Sequence, residues 1–337
     1  MQRKMIVALI TFLVTVFGTV SNALVFIAAR RMSSMNSSFG IITKNQAICN
    51  FLMSLIFLVY IFPLQISAMK LMVTYSHFVG MFAMTVYEIS NLSHFLIAVN
   101  RFCAVFLPYY YEKLFTVFST KILRNVIWVA SAIWCMVLYE LIGCKFSYDV
   151  ASWSLAFLAT DMCTQLTWYS DFTFNTSFVV LTLITNLLTA FKAGKNSRML
   201  MNAAGIKMSK RQKQRELNFV KQSFLQGLSV FSGQVTYYLI APLLSNPVLI
   251  FIIGSLWAFM HSIEGTSLRN WSPKNYLLQI SCFVPGLKNG GPYRSCRDYL
   301  FRYCIWNRIK YVCIYRRSKN ELDEQFIRNN YKEPDNC

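Results

Sequence analysis

The sequence predicts an all-α membrane protein: a seven-transmembrane helix bundle with the N-terminus outside and the C-terminus in the cytoplasm. Three observations support this prediction: an apolar composition, seven apolar runs of spanning length, and positive charge concentrated in alternate loops. Of 337 residues, 55% are hydrophobic and 14% charged, and the mean hydropathy is +0.41. Because a soluble domain carries about 25% charged residues, most of this chain is expected to face lipid or other helices.

Seven segments have the length and polarity of transmembrane helices. A helix needs roughly 20 mostly apolar residues to cross about 30 Å of hydrocarbon. The uncharged run 222–260 is too long for one crossing, and Asn246-Pro247 divides it because proline cannot continue a helix. The predicted helices lie near 5–29, 45–69, 75–105, 122–143, 172–191, 220–243 and 248–268. They form one helical domain, 1–268, which is followed by a basic tail, 269–337.

Loop charge sets the predicted orientation. Lys and Arg accumulate on the cytoplasmic side of membrane proteins. The loop 192–222 holds nine basic residues and one acid, and the tail holds thirteen basic and six acidic residues. Arg3 and Lys4 are the contrary charges, and with the apolar run after them they look like the start of a signal peptide. That run is longer than the usual 7–15 residues, so we expect it to remain as the first helix.

Polar residues recur at helical spacing inside two of the spans. In the third helix they are Glu88, Asn91, His94 and, after Ala98, Arg101; in the seventh they are Trp257, His261, Glu264 and, less polar, Leu268. Steps of three and four residues place each set on one helix face, and charged groups within a membrane normally face the bundle interior. Two interpretations stay open: a hydrogen-bond network that pins helices together, or an interior site for a ligand or a switch.

The sequence does not support an enzyme or a nucleic-acid-binding protein. It lacks His-Glu-x-x-His, Gly-x-Ser-x-Gly and a phosphate-binding glycine loop, so we predict no catalytic residues. Its ten cysteines form no Cys-x-x-Cys pair, and we expect neither a metal site nor a cofactor. The segment 248–268 contains no lysine that retinal would need for a Schiff base. The net charge of +19 lies mainly in loops and tail on one side of the membrane, which removes its usual nucleic-acid meaning.

Several motifs resemble the rhodopsin-like receptor plan. Asn22-Ala23-Leu24-Val25 resembles the first-helix element Gly-Asn-x-x-Val, and Asn50 stands where that family carries an aspartate of the second helix. Asn100-Arg101-Phe102 ends the third helix where the family carries Asp-Arg-Tyr. The resemblance implies that Arg101 contacts a G protein or holds the inactive state. The seventh helix departs from the plan, since it has no Asn-Pro-x-x-Tyr.

The residues 18–270 are more similar to the nematode chemoreceptor family called serpentine receptor class X. The motifs that carry this resemblance are Asn36-Ser37-Ser38-Phe39-Gly40, Thr43-Lys44-Asn45-Gln46-Ala47-Ile48, Tyr75-Ser76-His77, Tyr87-Glu88-Ile89-Ser90, Ser93-His94, Asn100-Arg101-Phe102-Cys103-Ala104, Cys144-Lys145-Phe146-Ser147-Tyr148-Asp149, Trp168-Tyr169-Ser170-Asp171-Phe172 and His261-Ser262-Ile263-Glu264-Gly265. The two motifs before the last fall in the long outer loop of that family.

The resemblance implies a G-protein-coupled chemoreceptor of the plasma membrane or sensory cilium, surrounded by membrane lipids. It would sense a small-molecule or peptide ligand outside and activate a heterotrimeric G protein through Asn100, Arg101 and Phe102, with no nucleic-acid partner. Glu88, Asn91, His94, His261 and Glu264 are the candidates for an interior switch or ligand site. Two alternatives come from other classes, a membrane transporter and a channel subunit. For Arg101 the alternative role is an anchor in the lipid headgroups.

Cys144 and Cys163 both fall in the predicted outer loop, which matures in an oxidising compartment. No cysteine lies between Cys49 and Cys103, so a disulfide from this loop to the outer end of the third helix cannot form. We expect Cys144 and Cys163 to pair and to fold 144–163 into a lid; the alternative is that both thiols are free. Asn175-Thr176-Ser177 is a glycosylation motif near the outer face, expected to lie too close to the membrane for modification.

Overall fold

The computed structural model describes residues 2–203, 227–228 and 230–269. Within them, five helices are long and apolar enough to cross a membrane, and a pair of helices bent by 46° supplies a sixth span. A further helical stretch, 230–243, completes the all-α seven-transmembrane bundle that the sequence predicts. Apart from Arg269, the predicted tail lies outside the described residues.

The seven helices are labelled α1 to α7 in chain order. They are α1 (Gln2–Arg31), α2 (Ser38–Ile66), α3 (Ser76–Phe106), α4 (Val117–Leu141), α5 (Asp161–Thr167, Trp168–Thr173 and Phe174–Ala203), α6 (227–228, 230–235, Thr236–Ile240 and Ala241–Leu243) and α7 (Pro247–Gly254 and Leu256–Arg269). Short helices occupy Ser33–Asn36, Lys70–Thr74 and Pro108–Leu114. Among the described residues, π-helical turns lie within α2, α5 and α6, at Phe57–Ile61, Trp168–Thr173 and Thr236–Ile240, and another ends α4, at Met136–Leu141.

The fifth helix begins eleven residues before the predicted boundary at 172. Thr160 caps its first turn by accepting a hydrogen bond from the Cys163 amide at 3.3 Å, and Asp161 lies in that turn, where a negative charge is favoured. Hydropathy alone placed the start after Asp171, because a carboxylate interrupts the apolar run. The helix continues through this charge because other helices enclose it.

The surface of the bundle is apolar and its interior contains many polar groups. Phe118 and Leu141 are 73% exposed and Phe191 is 71% exposed, whereas Thr11 and Asn22 are fully buried. This arrangement reverses that of a soluble helical bundle and is typical of helices that pack in lipid. The surface therefore agrees with the multi-pass membrane fold.

The helix α3 lies at the centre of the bundle, where it packs against α2, α4 and α5, while α1 packs against α2 and α7. Asn45 ties three of these helices together: its Oδ1 accepts from Trp128 Nε1 of α4 at 2.7 Å, and its Nδ2 donates to Ser93 Oγ of α3 at 2.9 Å. At Gly18 the backbone of α1 approaches α7 so closely that a Cβ would collide with Ser262. Small residues at such crossings are characteristic of membrane helix packing.

A two-stranded antiparallel hairpin follows α4 and covers one end of the bundle. Its strands are β1 (Phe146–Asp149) and β2 (Ser154–Phe157). The Asp149 carboxylate closes the turn by accepting hydrogen bonds from the amides of Ala151 and Ser152 at 3.0 and 2.9 Å. We call residues 144–163 the lid hairpin, the end of the bundle beneath it the lid end, and the opposite end, where Arg101 lies, the basic end.

Candidate functional site

The polar interior contains two separate groups of side chains. One group, which we call the histidine cluster, joins α2, α3 and α7; its members are Gln46, Asn50, Ser90, His94, His261 and Glu264. The other, which we call the carboxylate cluster, joins α3, α5 and α6; its members are Tyr87, Glu88, Asn91, Asp171, Asn175, Gln234 and Tyr238. The two clusters meet on α3, which contributes to both.

Glu264 is the charged centre of the histidine cluster. Its Oε1 lies 2.9 Å from His94 Nε2, and its Oε2 accepts from Asn50 Nδ2 at 2.9 Å and lies 3.9 Å from His261 Nδ1. Coulomb attraction between buried groups is stronger than in water. One carboxylate therefore holds α2, α3 and α7 together, and breaking these contacts would let the three helices move separately.

His261 connects the histidine cluster to α1 as well as to α2 and α3. Its Nδ1 lies 2.9 Å from Asn50 Oδ1 and 3.4 Å from Ser90 Oγ, and its backbone carbonyl accepts from Asn22 Nδ2 at 3.2 Å. Asn22 also donates to the Gly18 carbonyl at 2.9 Å, which brings α1 into the same network. The two motif asparagines of the first and second helices thus converge on the seventh helix at one histidine.

Three members of the histidine cluster, Gln46, Asn50 and Ser90, were not among the candidates for the interior site, although Asn50 was noted as a motif residue. Gln46 Nε2 donates to Ser90 Oγ at 2.6 Å and to Glu264 Oε2 at 3.3 Å. Gln46 stands one helical turn before Asn50, and Ser90 one turn before His94, which are spacings that place each pair on one face. Extending the polar stripes to uncharged residues would have found them.

In the carboxylate cluster, two acids share one amide. Asn175 Nδ2 donates to Glu88 Oε1 and to Asp171 Oδ1, both at 2.7 Å, and Asn175 Oδ1 accepts from Asn91 Nδ2 at 3.1 Å. Tyr238 of α6 donates to Asp171 Oδ2 at 2.6 Å. These four hydrogen bonds link α3, α5 and α6. The two carboxylate residues and the two asparagines are each at most 4% exposed.

The carboxylate cluster lies deeper in the bundle than the sequence indicates. Asp171 was expected in the outer loop and Asn175 at the outer face, yet both are buried within α5. Glu88 and Asn91, which belong to the same third-helix stripe as His94, both bond to Asn175 of α5. The reason is the early start of α5, which carries Asp171 inward by about 15 Å at 1.5 Å per residue.

A cavity of about 70 Å³ extends from the histidine cluster to the basic end. Glu264, His94 and Asn91 line its inner part, and Arg101 lines it toward the basic end. Its remaining walls come from α1, α2, α5 and α6, with Asn22, Phe39, Thr43, Gln46, Ala47, Asn50, Ile97, Val179, Thr182, Asn186, Gly227 and Val230. The cavity therefore lies between two of the groups that the sequence singled out, Glu264 and Arg101.

The three candidate coupling residues differ in their surroundings. The Arg101 guanidinium carbon lies 5.0 Å from the centre of the Phe39 ring on α2, a cation–π distance. Asn100 is buried and donates to Ser38 Oγ at 3.2 Å. Phe102 stacks on Phe106 with ring centres 4.4 Å apart. Of the three, Arg101 alone lines the cavity.

The lid hairpin is fastened to the bundle on several sides. A disulfide joins Cys144 to Cys163, whose Cα atoms are 5.2 Å apart, and so ties the end of α4 to the first turn of α5. Three hydrogen bonds add to it: Tyr148 N to Ser76 Oγ, Gln65 Nε2 to the Trp153 carbonyl, and Ser154 Oγ with Ser255 Oγ, each at 2.9 Å. Burial, and next the neighbouring Asp149, raise the pKa of the Tyr148 phenol, so this side chain of the lid hairpin stays neutral.

The underside of the lid hairpin is aromatic. The Phe146 ring lies 4.5 Å from Phe157 and 6.1 Å from Trp257, measured between ring centres. Trp257 in turn lies 5.4 Å from Tyr87 of the carboxylate cluster. An aromatic layer therefore separates the lid from the buried polar groups.

His77 and Glu140 form a further ion pair at the lid end, between α3 and α4, at 2.8 Å. Their side chains are 14% and 19% exposed, so this pair lies nearer the solvent than the two clusters. It accounts for two charged residues inside predicted spans without assigning them to the interior site.

Comparison with known proteins agrees with this architecture. Residues 12–267 match the model of the family described as serpentine type 7TM GPCR chemoreceptor Srx. The chain is also 24% identical over 280 residues to serpentine receptor class X 45 of Caenorhabditis elegans. The aligned region covers 77% of this chain and 76% of that relative. The family match spans all seven helices except for the ends of α1 and α7. The protein belongs to the Srx family of serpentine seven-transmembrane chemoreceptors.

Proposed function

We propose that this protein senses a small external ligand at the plasma membrane, that of sensory cilia included, and activates a heterotrimeric G protein. The observation that carries the proposal is a single cavity lined by both Glu264 and Arg101. Through this cavity, a rearrangement around Glu264 at the centre of the bundle can change the surroundings of Arg101 at the basic end. The family match favours this receptor role over the transporter and channel alternatives.

In the proposed orientation the lid end faces outside and the basic end faces the cytoplasm. The positive charge of 192–222 supports it, because Lys and Arg accumulate on the cytoplasmic side. The disulfide of the lid hairpin also supports it, because disulfides persist in oxidising compartments. The ligand then arrives at the lid, and the G protein binds near Asn100, Arg101 and Phe102.

Signalling requires two arrangements of the bundle, and a ligand favours the arrangement that it binds more tightly. We place the change at the cavity, where Val179 and Thr182 of α5 and Val230 of α6 stand with Arg101. Movement of α5 and α6 there widens the cavity and uncovers the Arg101 guanidinium. A guanidinium is always charged and offers several hydrogen-bond donors, so it suits contact with backbone carbonyls of a partner.

The test is guanine-nucleotide exchange on purified heterotrimeric G proteins, measured with the full-length receptor in lipid vesicles. We expect the wild-type receptor to accelerate exchange on one class of G protein, and Arg101→Ala to lose at least roughly 90% of that acceleration, a loss of about 1.4 kcal/mol. The matched control is Arg30→Ala. Arg30 also lies at the basic end, and its guanidinium carbon is 5.7 Å from the centre of the Phe26 ring.

Two results would count against the proposal. If Arg101→Ala reaches wild-type surface levels and still activates normally, Arg101 does not couple the receptor. If it fails to reach the surface and Arg101→Lys restores both expression and exchange equally, the residue acts as an anchor in the headgroups.

A further inference from the structure

Among the described residues, the carboxylate cluster holds two acids that form no ion pair. Glu88 is 2% exposed and Asp171 is 4% exposed. In the part of the chain that the structure describes, ion pairs form at Glu140 and at Glu264 but not at these two acids. Burying carboxylates without a compensating cation is costly, whereas a cation placed between them removes much of that cost.

A second observation concerns the amides of the cluster. No donor within the described part of the chain reaches Asn91 Oδ1 or Gln234 Oε1, which belong to side chains that are 4% and 5% exposed. Glu88 Oε2 is a third oxygen in this condition. Buried polar atoms are normally satisfied, and an unsatisfied one costs about 1–3 kcal/mol. All three atoms are acceptors, so a group that binds to them has to be a hydrogen-bond donor.

The rings around the cluster suit an organic cation. Tyr87 accepts from Gln234 Nε2 at 2.6 Å, and its ring lies 5.4 Å from Trp257. Tyr238, which donates to Asp171, lies 5.1 Å from Phe172 between ring centres. Aromatic faces attract ammonium groups and also bury the carbon chain of a ligand.

The local backbone and the neighbouring space agree with a binding site. Asp171 and Tyr238 both lie in π-helical turns, which occur often at functional sites. Asn91 lines the 70 Å³ cavity as well as the cluster, so the cavity reaches the side of these acceptors. Among the described residues no three His, Cys, Asp or Glu side chains gather as metal ligands. An organic cation is therefore favoured over a metal ion.

We propose that the carboxylate cluster binds the ammonium group of a small primary amine, which is the ligand of this receptor. The ammonium group lies beside Glu88 and Asp171, which the Asn175 amide already joins, and donates its three hydrogens to Glu88 Oε2, Asn91 Oδ1 and Gln234 Oε1. This inference names the ligand class for the proposed chemoreceptor function and rests on it.

The cluster also provides a route from ligand to signal. Tyr238 ties α6 to α5 by its hydrogen bond to Asp171 Oδ2. An ammonium group competes for the same carboxylate, so its arrival weakens the hold of α5 on α6. Val230 on α6 lines the cavity that contains Arg101.

The experiment measures thermal unfolding of the purified full-length receptor in detergent, without a G protein. The probes are butylammonium and 2-phenylethylammonium chloride, compared with 1-butanol and 2-phenylethanol at equal ionic strength. We expect each amine to raise the melting midpoint by roughly 2–4 °C and the alcohols to leave it unchanged. Glu88→Gln and Asp171→Asn keep the shape of the site but remove its charge, and the amine effect should disappear.

The matched control is Glu140→Gln, which removes one carboxylate at the lid end outside the cluster. In this variant the amines should still raise the midpoint. Glu88→Gln and Asp171→Asn also separate a structural role from a binding role when no amine is added. If the two acids serve to bind a ligand, neutralising either one should leave the melting midpoint equal or higher. If their charges stabilise the fold, the midpoint should fall.

Three results would overturn the proposal: neither amine raises the midpoint, the alcohols raise it equally, or the amine effect survives Glu88→Gln. A failure of the proposed receptor function gives a different result from a failure of the ligand assignment. In that case the amines still raise the melting midpoint, but they do not change nucleotide exchange. Conversely, exchange that depends on Arg101 together with absent amine binding refutes the ligand class alone.

Discussion

The contact between Arg101 and Phe39 allows a quantitative test of how the receptor rests. The guanidinium lies over the Phe39 ring at 5.0 Å, and Asn100 is bonded to Ser38 on the same turn of α2. If this face of α2 holds Arg101 in the resting arrangement, Phe39→Leu should raise basal signalling. Leucine keeps the apolar bulk of the side chain but has no aromatic face for the cation.

The size of the effect follows from the strength of the contact. Cation–π interactions contribute about 0.5–1 kcal/mol when exposed and about 2 kcal/mol when desolvated. Arg101 is partly buried, so we take about 1 kcal/mol. Because 1.4 kcal/mol is a factor of ten, Phe39→Leu should raise the ratio of active to resting receptor roughly fivefold. Phe39→Trp, which strengthens the contact, should lower basal activity below that of wild type.

The assay is ligand-free nucleotide exchange at matched receptor density in vesicles. The control is Phe26→Leu, which removes a ring beneath Arg30 at 5.7 Å, and it should leave basal exchange unchanged. Equal basal exchange in Phe39→Leu and wild type, with Arg101→Ala inactive, would refute Phe39 as the restraint while leaving Arg101 as the coupling residue. An equal rise in Phe26→Leu would show a nonspecific loosening of the bundle.

Three further predictions concern the lid and the topology. Gly80→Ala should lower the melting midpoint, because a Cβ there would collide with the Phe146 carbonyl. The control Gly233→Ala, whose Cβ would lie 3.7 Å from its nearest atom, should not lower it. Equal melting of the two variants would refute the close approach at Gly80. Replacing Cys144 and Cys163 together by serine opens a closed loop with a sequence separation of 19 and should cost about 3 kcal/mol in a thermal unfolding assay; wild-type melting would contradict it. A cysteine introduced at Lys207 should react with an impermeant label only after permeabilisation, and labelling of intact cells would reverse the proposed orientation.

The sequence alone determined the class of the fold. Seven apolar runs and the break at Asn246-Pro247 predict the helices, because only a helix satisfies its own backbone within lipid. Where the structure begins α7, Pro247 is the first helical residue and Asn246 Oδ1 accepts from the Val248 amide at 3.0 Å. The spacing of His94 on α3 and of His261 and Glu264 on α7 likewise predicts two inward faces. These features are local, so one stretch of chain is enough to read them.

The identity of the partners was decided only by the tertiary structure. Helical periodicity states which residues share a face, but not which helix lies opposite, because that depends on the lateral order and rotation of all seven helices. Glu88 accepts a hydrogen bond from Asn175 of α5, which also donates to Asp171, and the sequence did not indicate this partner. Asp171 itself was misplaced because hydropathy treats a charge as the end of a span. Inside a bundle, neighbouring amides and hydroxyls supply the hydrogen bonds that water would give, so the helix continues through it.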